Sequence, residues 1–292
     1  MTLIQPTSID VYGRDGLRLR ADEFGDPDAP PVVLLHGGGQ TRFAWGTTAP
    51  VLAERGWRVL RVDLRGHGES DWPDDGDYGP EAFAGDVTAL AAALPEPPVL
   101  VGASLGGIAS ILAIGRSDTP IARGLVLVDV APKIEQDGAL RIGAFMSEHM
   151  ESGFGSLEEV ADAVAAYNPH RPRPTDLSGL KKNVRQRADG RWVWHWDPRF
   201  MSGKPGSLDE TRVSLVHEEN LSNAARHITV PTLLVRGRVS DLLSEEGARD
   251  LLELVPHAEY VDVEGAGHMV AGDKNDLFND AIVGFLDRLR PA

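Results

Sequence analysis

The chain contains no cysteine among its 292 residues. Disulfide bonds, thiol nucleophiles and zinc–thiolate sites are therefore excluded, and the redox compartment is left undecided. Long hydrophobic runs are missing too, because no stretch reaches the length of a membrane span. The first residues also lack the basic start and apolar core of a signal peptide. These absences predict a cytoplasmic protein.

Positive charge is scarce, since 29 Lys and Arg residues stand against 44 Asp and Glu residues and give a net charge of -15. This balance disfavours nucleic acid and anionic membrane surfaces as partners. Hydrophobic residues make up 42% of the chain and charged residues 25%, as in ordinary soluble globular proteins. The length suits one α/β domain with an insertion, either as a monomer or as a homodimer.

Sequence signals for bound metals and nucleotides are also missing. No cluster of histidines and carboxylates has the spacing of metal ligands, and no G-x-G-x-x-G opens a first βαβ unit. We therefore expect no metal and no cofactor.

Short apolar runs alternate with helical patterns, which predicts an α/β fold with a mostly parallel, doubly wound sheet covered by helices on both faces. The predicted strands are Leu17–Glu23, Pro31–Leu35, Arg58–Asp63, Val99–Gly102, Gly124–Asp129, Thr232–Arg236 and Glu259–Val263. The predicted helices are Ala44–Arg55, Pro80–Leu94, Leu105–Arg116, Glu245–Val255 and Lys274–Leu289.

This alternation stops between Lys133 and His227, where no strand runs are visible and helical patterns cover Leu157–Tyr167 and Arg212–Ala225. An insertion with its own aromatic residues between two sheet strands predicts a mainly helical cap. The expected core is then 1–132 with 228–292, and the cap is 133–227. Open α/β sheets bind ligands at the carboxyl edge of their strands, which is where we expect the cap to lie.

Residues Gly102–Gly106 read G-A-S-L-G, directly after an apolar strand and before a helical pattern. A serine flanked by small residues at a sharp strand-to-helix turn is typical of the nucleophile elbow of serine hydrolases. Ser104 is therefore the candidate nucleophile.

A serine nucleophile needs a base to take its proton and a carboxylate to orient that base. His268 is the candidate base, because it lies on a glycine-rich loop after a late strand. We prefer Asp241 as the acid because its loop is longer and polar. Asp129, at the end of an earlier strand, is the alternative, although it could instead cap that strand and orient the elbow.

Acyl transfer also needs hydrogen-bond donors for the oxyanion. The residue after the nucleophile supplies one backbone N–H, here that of Leu105. The second is expected from the glycine loop after the first apolar strand, where we assign Gly38 with Gly39 as the alternative. The other interpretation is that these glycines only make a tight turn.

Together, these motifs resemble the α/β-hydrolase fold family over essentially the whole chain, and specifically its serine-nucleophile branch with a helical cap. The resemblance is carried by the segments His36–Gly39, Val62–Ser70, Val101–Gly107, Arg236–Asp241 and Gly265–His268. It implies a branch that includes cofactor-free esterases, perhydrolases, lactonases, carbon–carbon bond hydrolases and epoxide hydrolases.

Residue 104 discriminates within this branch, because epoxide hydrolases of this fold use an aspartate there. Ser104 implies a small-molecule, ester-like substrate. The expected function is a cofactor-free serine hydrolase that cleaves a small carboxylic ester or lactone through an acyl-enzyme. The alternatives are carbon–carbon bond hydrolysis on the same triad, a receptor-like ligand-binding protein, and a cofactor-free oxygenase.

Aromatic residues supply the pocket candidates. Phe43 and Trp45 follow the glycine loop directly, whereas Trp192 and Trp194 alternate along an extended segment of the insertion. The tryptophans could form an aromatic wall of the pocket or attach the cap to the core. We favour the second interpretation for them.

Overall fold

The computed structural model describes residues 5–168, 173–201, 218–268, 270 and 275–290. Its strands are β1 (Thr7–Tyr12), β2 (Arg18–Phe24), β3 (Pro31–Leu35), β4 (Arg58–Val62), β5 (Val99–Ala103), β6 (Gly124–Val128), β7 (Val184–Gln186), β8 (Trp192–Trp194), β9 (Thr232–Gly237) and β10 (Glu259–Val263). Eight of them form one sheet in the order β1-β2-β4-β3-β5-β6-β9-β10. The sheet is parallel from β4 to β10, and β1 and β2 pair antiparallel at one edge. The predicted fold class is confirmed.

The α-helices are α1 (Thr48–Glu54), α2 (Pro80–Ala92), α3 (Leu105–Gly115), α4 (Gln136–Ser147), α5 (Leu157–Tyr167), α6 (Glu218–Arg226), α7 (Glu245–Leu254) and α8 (Asn275–Arg288). A separate hydrophobic core lies on each face of the sheet. In β5, Leu100 belongs to one core whereas Val99 and Val101 belong to the other. A strand buried on both faces must be apolar at every position, which is why these strands read as continuous runs.

The structure adds elements that sequence patterns did not predict. β1 pairs only with β2 and exposes every second residue, so it lacks the apolar run of a central strand. β7 and β8 form a small antiparallel hairpin inside 133–227, so the expectation of no strands there was wrong. α5 agrees with its predicted range. α6 begins at Glu218, and residues 212–217 of its prediction lie outside the described residues.

β6 and β9 are neighbours in the large sheet, although the chain between them includes α4 to α6 and the β7–β8 hairpin. This intervening segment contacts the core near His67, whose backbone forms a bridge with Trp196. In the same region, the Tyr78 hydroxyl donates to the buried carboxylate of Asp197 over 2.6 Å. The boundaries of a cap domain at 133 and 227 remain a prediction. None of the described helices combines the length and the apolar character that a membrane crossing requires.

Candidate active site

Ser104 lies between the end of β5 and the first residue of α3, with φ 44° and ψ -112°. This backbone conformation is uncommon for a residue with a Cβ and is typical of a tightly constrained functional turn. The turn requires glycine on both sides. A Cβ added to Gly102 would lie 2.5 Å from the Gly106 backbone, and one added to Gly106 would lie 2.3 Å from the Leu35 carbonyl oxygen. The predicted elbow geometry is thus present.

Asp129 directly follows β6, the strand beside β5, and its side chain is fully buried. Its Oδ2 lies 2.7 Å from Nδ1 of His268. Since the backbone N–H of Ser104 donates to the Val128 carbonyl over 3.2 Å, the acid and the elbow are connected through β6. An imidazole whose Nδ1–H donates to a carboxylate presents Nε2 as the proton acceptor.

The preference for Asp241 as the partner of His268 was wrong. Asp241 instead forms an ion pair with Arg141 of α4, in which both side chains are substantially exposed. Consecutive residues of the loop after β9 point in different directions: Ser240 turns toward Asp129, and Asp241 turns toward α4. The alternative, Asp129, is the carboxylate that contacts His268.

Within the described parts of the chain, Ser104 Oγ donates no hydrogen bond to His268. The His268 side chain is 14% exposed, so it is accessible to solvent. Hydrogen bonds between nucleophile and base are often long without substrate and tighten in the substrate complex. Asp129 thus orients His268 from the end of β6, which lies beside the strand that carries the elbow.

The hydrogen bonds of the glycine loop single out one donor for an oxyanion. The Gly37 N–H donates to Oε1 of Gln40, and the Gly39 N–H donates to Nε2 of His67. The Gly38 N–H has no acceptor among the described residues, and neither does that of Leu105 at the start of α3. The N–H groups that remain available are therefore those of Gly38 and Leu105, the predicted pair. The N–H of Gly39, the alternative, already donates to His67.

Two buried histidines hold this loop. His36 Nε2 accepts from the Leu64 N–H, while its Nδ1 lies 2.8 Å from the Gly37 carbonyl oxygen. Burial lowers the pKa of His36 to about 4, and burial with the neighbouring His36 lowers that of His67 to about 3. Each ring is thus neutral and accepts from a backbone N–H, which is a structural role.

We expect the free energy of unfolding to decrease between pH 7 and pH 5, with His67 as one cause. Because the folded-state pKa of His67 lies well below 6.5, the unfolded chain binds more protons in this window. The stabilisation is complete above pH 6.5 and is lost as the pH falls toward 3. One such group contributes about 2 kcal/mol between pH 7 and pH 5.

The measurement is urea unfolding at both pH values for the wild type and His67→Gln. Glutamine keeps an acceptor for the Gly39 N–H but does not titrate, so the loss of stability should shrink by that amount. His257→Gln is the matched control, because His257 is exposed and its one hydrogen bond among the described residues is to the Val230 carbonyl. Equal pH dependence in all three proteins would contradict the prediction.

Two of the aromatic pocket candidates lie elsewhere. Trp45 is 1% exposed and packs against Phe278 in the core on one face of the sheet, so its prediction as a pocket residue was wrong. The Phe43 ring is surrounded by the cationic groups of Arg42, Arg61 and Lys182, at 4.5 to 5.3 Å. No contact of Phe43 with the elbow is found among the described residues.

The two tryptophans of the insertion pack within that segment. Trp194 is buried, with edge-to-face contacts to Phe145 and Phe154. Trp192 is half-buried, and its backbone exchanges hydrogen bonds with that of Phe154. These contacts favour packing over a pocket wall, as expected from the sequence.

Other side chains lie beside Gly38 and Gly39. A Cβ added to Gly38 would lie 3.5 Å from Phe200 Cζ and 3.8 Å from Leu105 Cδ2. One added to Gly39 would lie 2.8 Å from Cε of Met146, in α4. Phe200 and Met146, which lie beside this loop, were not among the predicted site residues. The signal available for Phe200 was the turn Asp197–Phe200, whereas Met146 lies on a helix without a motif.

The described residues include no group of three or more histidine, aspartate or glutamate side chains placed to hold a metal ion.

Comparison with known proteins gives consistent results. A sequence model of the alpha/beta hydrolase family matches residues 32–281. An esterase of Mycobacterium tuberculosis is 31% identical over 266 residues, covering 89% of this chain and 83% of the relative. A 3-hydroxybutyrate-oligomer hydrolase of Cupriavidus necator is 30% identical over 260 residues, covering 86% and 87%.

Similarity also extends to solved structures. The crystal structure of E-2-(acetamidomethylene)succinate hydrolase covers 97% of this chain and 100% of its own, with a TM-score of 0.80 and 24% identity, and so shares the fold. The esterase and hydrolase relatives support an enzyme with hydrolase activity. The family match spans most of the chain, which therefore belongs to the alpha/beta hydrolase family.

Proposed function

We propose that the chain is a serine hydrolase that cleaves a small carboxylic ester or lactone through an acyl-enzyme, without a cofactor. Ser104 Oγ attacks the carbonyl carbon while His268 Nε2 takes its proton, and Asp129 holds the imidazolium. The tetrahedral oxyanion accepts hydrogen bonds from the Gly38 and Leu105 N–H groups. His268 then returns the proton to the departing alcohol oxygen, leaving the acyl group on Ser104.

Water completes the cycle. His268 removes one of its protons as its oxygen attacks the acyl carbon, and the second tetrahedral intermediate uses the same donors. Collapse of this intermediate releases the carboxylic acid and returns the proton to Ser104. For a lactone, the alcohol and the acid leave as one hydroxy acid.

The observation that carries this proposal is the pair of uncommitted N–H groups beside a strained serine. Most backbone polar groups in a folded protein have partners, so free donors at such a position need an explanation. The N–H groups of Gly37 and Gly39 in the same loop both have acceptors, so among the described residues Gly38 is the one glycine of this loop whose N–H is free. An oxyanion is the ligand these donors fit, and losing one typically costs about 3 kcal/mol of transition-state stabilisation.

A fluorophosphonate probe tests for an activated serine without knowledge of the natural substrate. The probe phosphonylates a serine oxygen and expels fluoride, giving a stable adduct at the nucleophile. Mass mapping of the labelled peptide should locate the adduct on Ser104 and find none in Ser104→Ala. Absence of labelling in the folded wild type would contradict the proposed function.

The surroundings of Gly38 support an apolar acyl group. Phe200, Leu105 and Met146 offer only hydrocarbon, aromatic and thioether surface there. Phe200 is fixed in place, since its ring makes edge-to-face contacts with His67, Tyr78 and Phe83. Met146 is buried in the same core, but its unbranched side chain adapts more easily to the shape of a ligand. We therefore assign Met146 as the residue that limits acyl-chain length.

Met146→Ala should shift the preference among p-nitrophenyl esters toward longer acyl chains, because truncation opens space beside Gly39. Each accommodated methylene is worth about 1 kcal/mol or more. The ratio of kcat/KM for long acyl chains to that for short ones should therefore rise about tenfold relative to the wild type. The measurement is kcat/KM across acyl chain lengths together with the melting temperature.

Trp192→Ala and Trp194→Ala are the matched controls. Truncating Trp194 should lower the melting temperature strongly, since removing a buried tryptophan costs about 3 to 5 kcal/mol. The chain-length profile of both tryptophan variants should stay unchanged. A changed chain-length profile in these variants, with an unchanged profile in Met146→Ala, would show that the tryptophans line the acyl pocket and Met146 does not.

A further inference from the structure

The buried carboxylate of Asp129 accepts three hydrogen bonds. Its Oδ1 accepts from the Gly237 N–H at 2.9 Å. Its Oδ2 accepts from His268 Nδ1 at 2.7 Å and from the Ser240 hydroxyl at 2.6 Å. The oxygen that faces the imidazole is therefore shared with a second donor.

The hydroxyl of Ser240 is oriented by its own partners. Its oxygen accepts from the backbone N–H groups of Leu242 and Leu243, at 3.1 and 3.2 Å. A hydroxyl has one proton and two lone pairs, so these two bonds leave only the proton for another partner. That proton is thus directed at Asp129.

We propose that Ser240 is a positioning residue for the acid–base pair, holding Asp129 so that Oδ2 faces His268. This inference rests on the proposed function, in which Asp129 orients the base. The last torsion of an aspartate side chain is broad, so the single bond from Gly237 does not fix the carboxylate plane. The bond from Ser240 to Oδ2 supplies the second fixed point.

The hydrogen bond from Ser240 also stabilises the negative charge of the buried Asp129 carboxylate. A carboxylate removed from water needs hydrogen-bond donors to remain ionised, and bonds to an ionised acceptor are stronger than neutral ones. Three donors converge on Asp129, but only Ser240 is a side chain that can be replaced without removing the base. The serine before Asp241 thereby gains a role that Asp241 itself lacks.

The test compares Ser240→Ala, Ser240→Thr and Ser244→Ala. Ser244 is a matched control, because its hydroxyl likewise accepts a backbone N–H, that of Gly247 at the start of α7, but does not contact Asp129. All three variants are checked for folding by circular dichroism. Kinetics on a p-nitrophenyl ester and the low-field proton resonance of His268 Nδ1–H are then recorded.

Ser240→Ala should lower kcat about tenfold with little change in KM, as expected for loss of one charge-assisted hydrogen bond. The His268 Nδ1–H resonance should move or broaden, because the carboxylate plane is no longer fixed. Ser240→Thr keeps the hydroxyl and should restore both properties, and Ser244→Ala should match the wild type. An unchanged resonance and kcat in Ser240→Ala would overturn the inference, as would equal losses in Ser244→Ala.

The two readouts separate this inference from the function on which it rests. If the wild type is neither labelled by the fluorophosphonate nor active on esters, the proposed function fails. The resonance of His268 still reports whether Ser240 orients Asp129 in that case. A Ser240→Ala effect on the resonance without any esterase activity would keep the positioning role and reject the reaction.

Discussion

Ser104→Ala is expected to lower the turnover of short p-nitrophenyl esters by more than about a thousandfold while the protein stays folded. The activity should vanish because no other group in the proposed mechanism forms the bond to the acyl carbon. The fold should survive because the Ser104 hydroxyl holds no hydrogen bond within the described residues, so its removal leaves no partner unpaired. The measurements are kcat and KM with the melting temperature of the same preparation.

Ser110→Ala provides the control on the same helix. The Ser110 hydroxyl is buried and donates to the Gly106 carbonyl of α3 at 2.7 Å, so this variant changes a serine near the elbow without touching the proposed site. We expect wild-type turnover from it. Residual activity in Ser104→Ala above about a thousandth of the wild type would favour base-only or oxygenase-type chemistry.

The elbow could be predicted from sequence because its geometry is local. Ser104, its flanking glycines and the strand before it are contiguous, and the close approaches at Gly102 and Gly106 leave room for no other residue. His268 and the free donor at Gly38 also lie in short motifs that follow strands. In each case, the residue type and its neighbours constrain the position directly.

The acid could not be assigned in this way, because two strands end with an aspartate nearby. Which one reaches His268 depends on where the loop after β9 points Ser240 and Asp241, and no local pattern encodes that direction. The burial of Asp129 was equally hidden, since its strand position fits a simple cap. Contacts with α4 hold Asp241 on its side of the loop: Gly138 packs against the Asp241 backbone, and Arg141 pairs with the Asp241 carboxylate.

The side chains beside the glycine loop were not predicted, for a related reason. Proximity in sequence to the glycine loop suggested Phe43 and Trp45, yet the Trp45 ring packs against Phe278 and the Phe43 ring packs against Arg42. Met146 and Phe200 reach the loop from elements more than a hundred residues later in the chain. Such long-range contacts follow from how the insertion folds back on the sheet, which periodicity does not reveal.

Asp129→Asn should lower kcat by about four orders of magnitude, and Asp241→Asn should change it only slightly. The asparagine amide in place of Asp129 can donate to His268 Nδ1, which stabilises the wrong tautomer and leaves Nε2 protonated and unable to accept from Ser104. Asparagine at 241 removes only a partly exposed ion pair with Arg141, and such pairs contribute about 0 to 1 kcal/mol to stability. The two variants differ from the wild type by the same atoms, so their difference measures position alone.

The decisive measurement is side-by-side kinetics of both variants on one ester, with the melting temperature of each. Arg141→Gln completes the set, because it breaks the ion pair of Asp241 from the other side and should match Asp241→Asn in kcat. A low kcat in Asp241→Asn with a nearly normal one in Asp129→Asn would reverse the assignment. Asp129 is fully buried and contacts His268, whereas Asp241 faces α4. A carboxylate that stabilises the imidazolium by direct contact therefore requires the larger loss of kcat in Asp129→Asn.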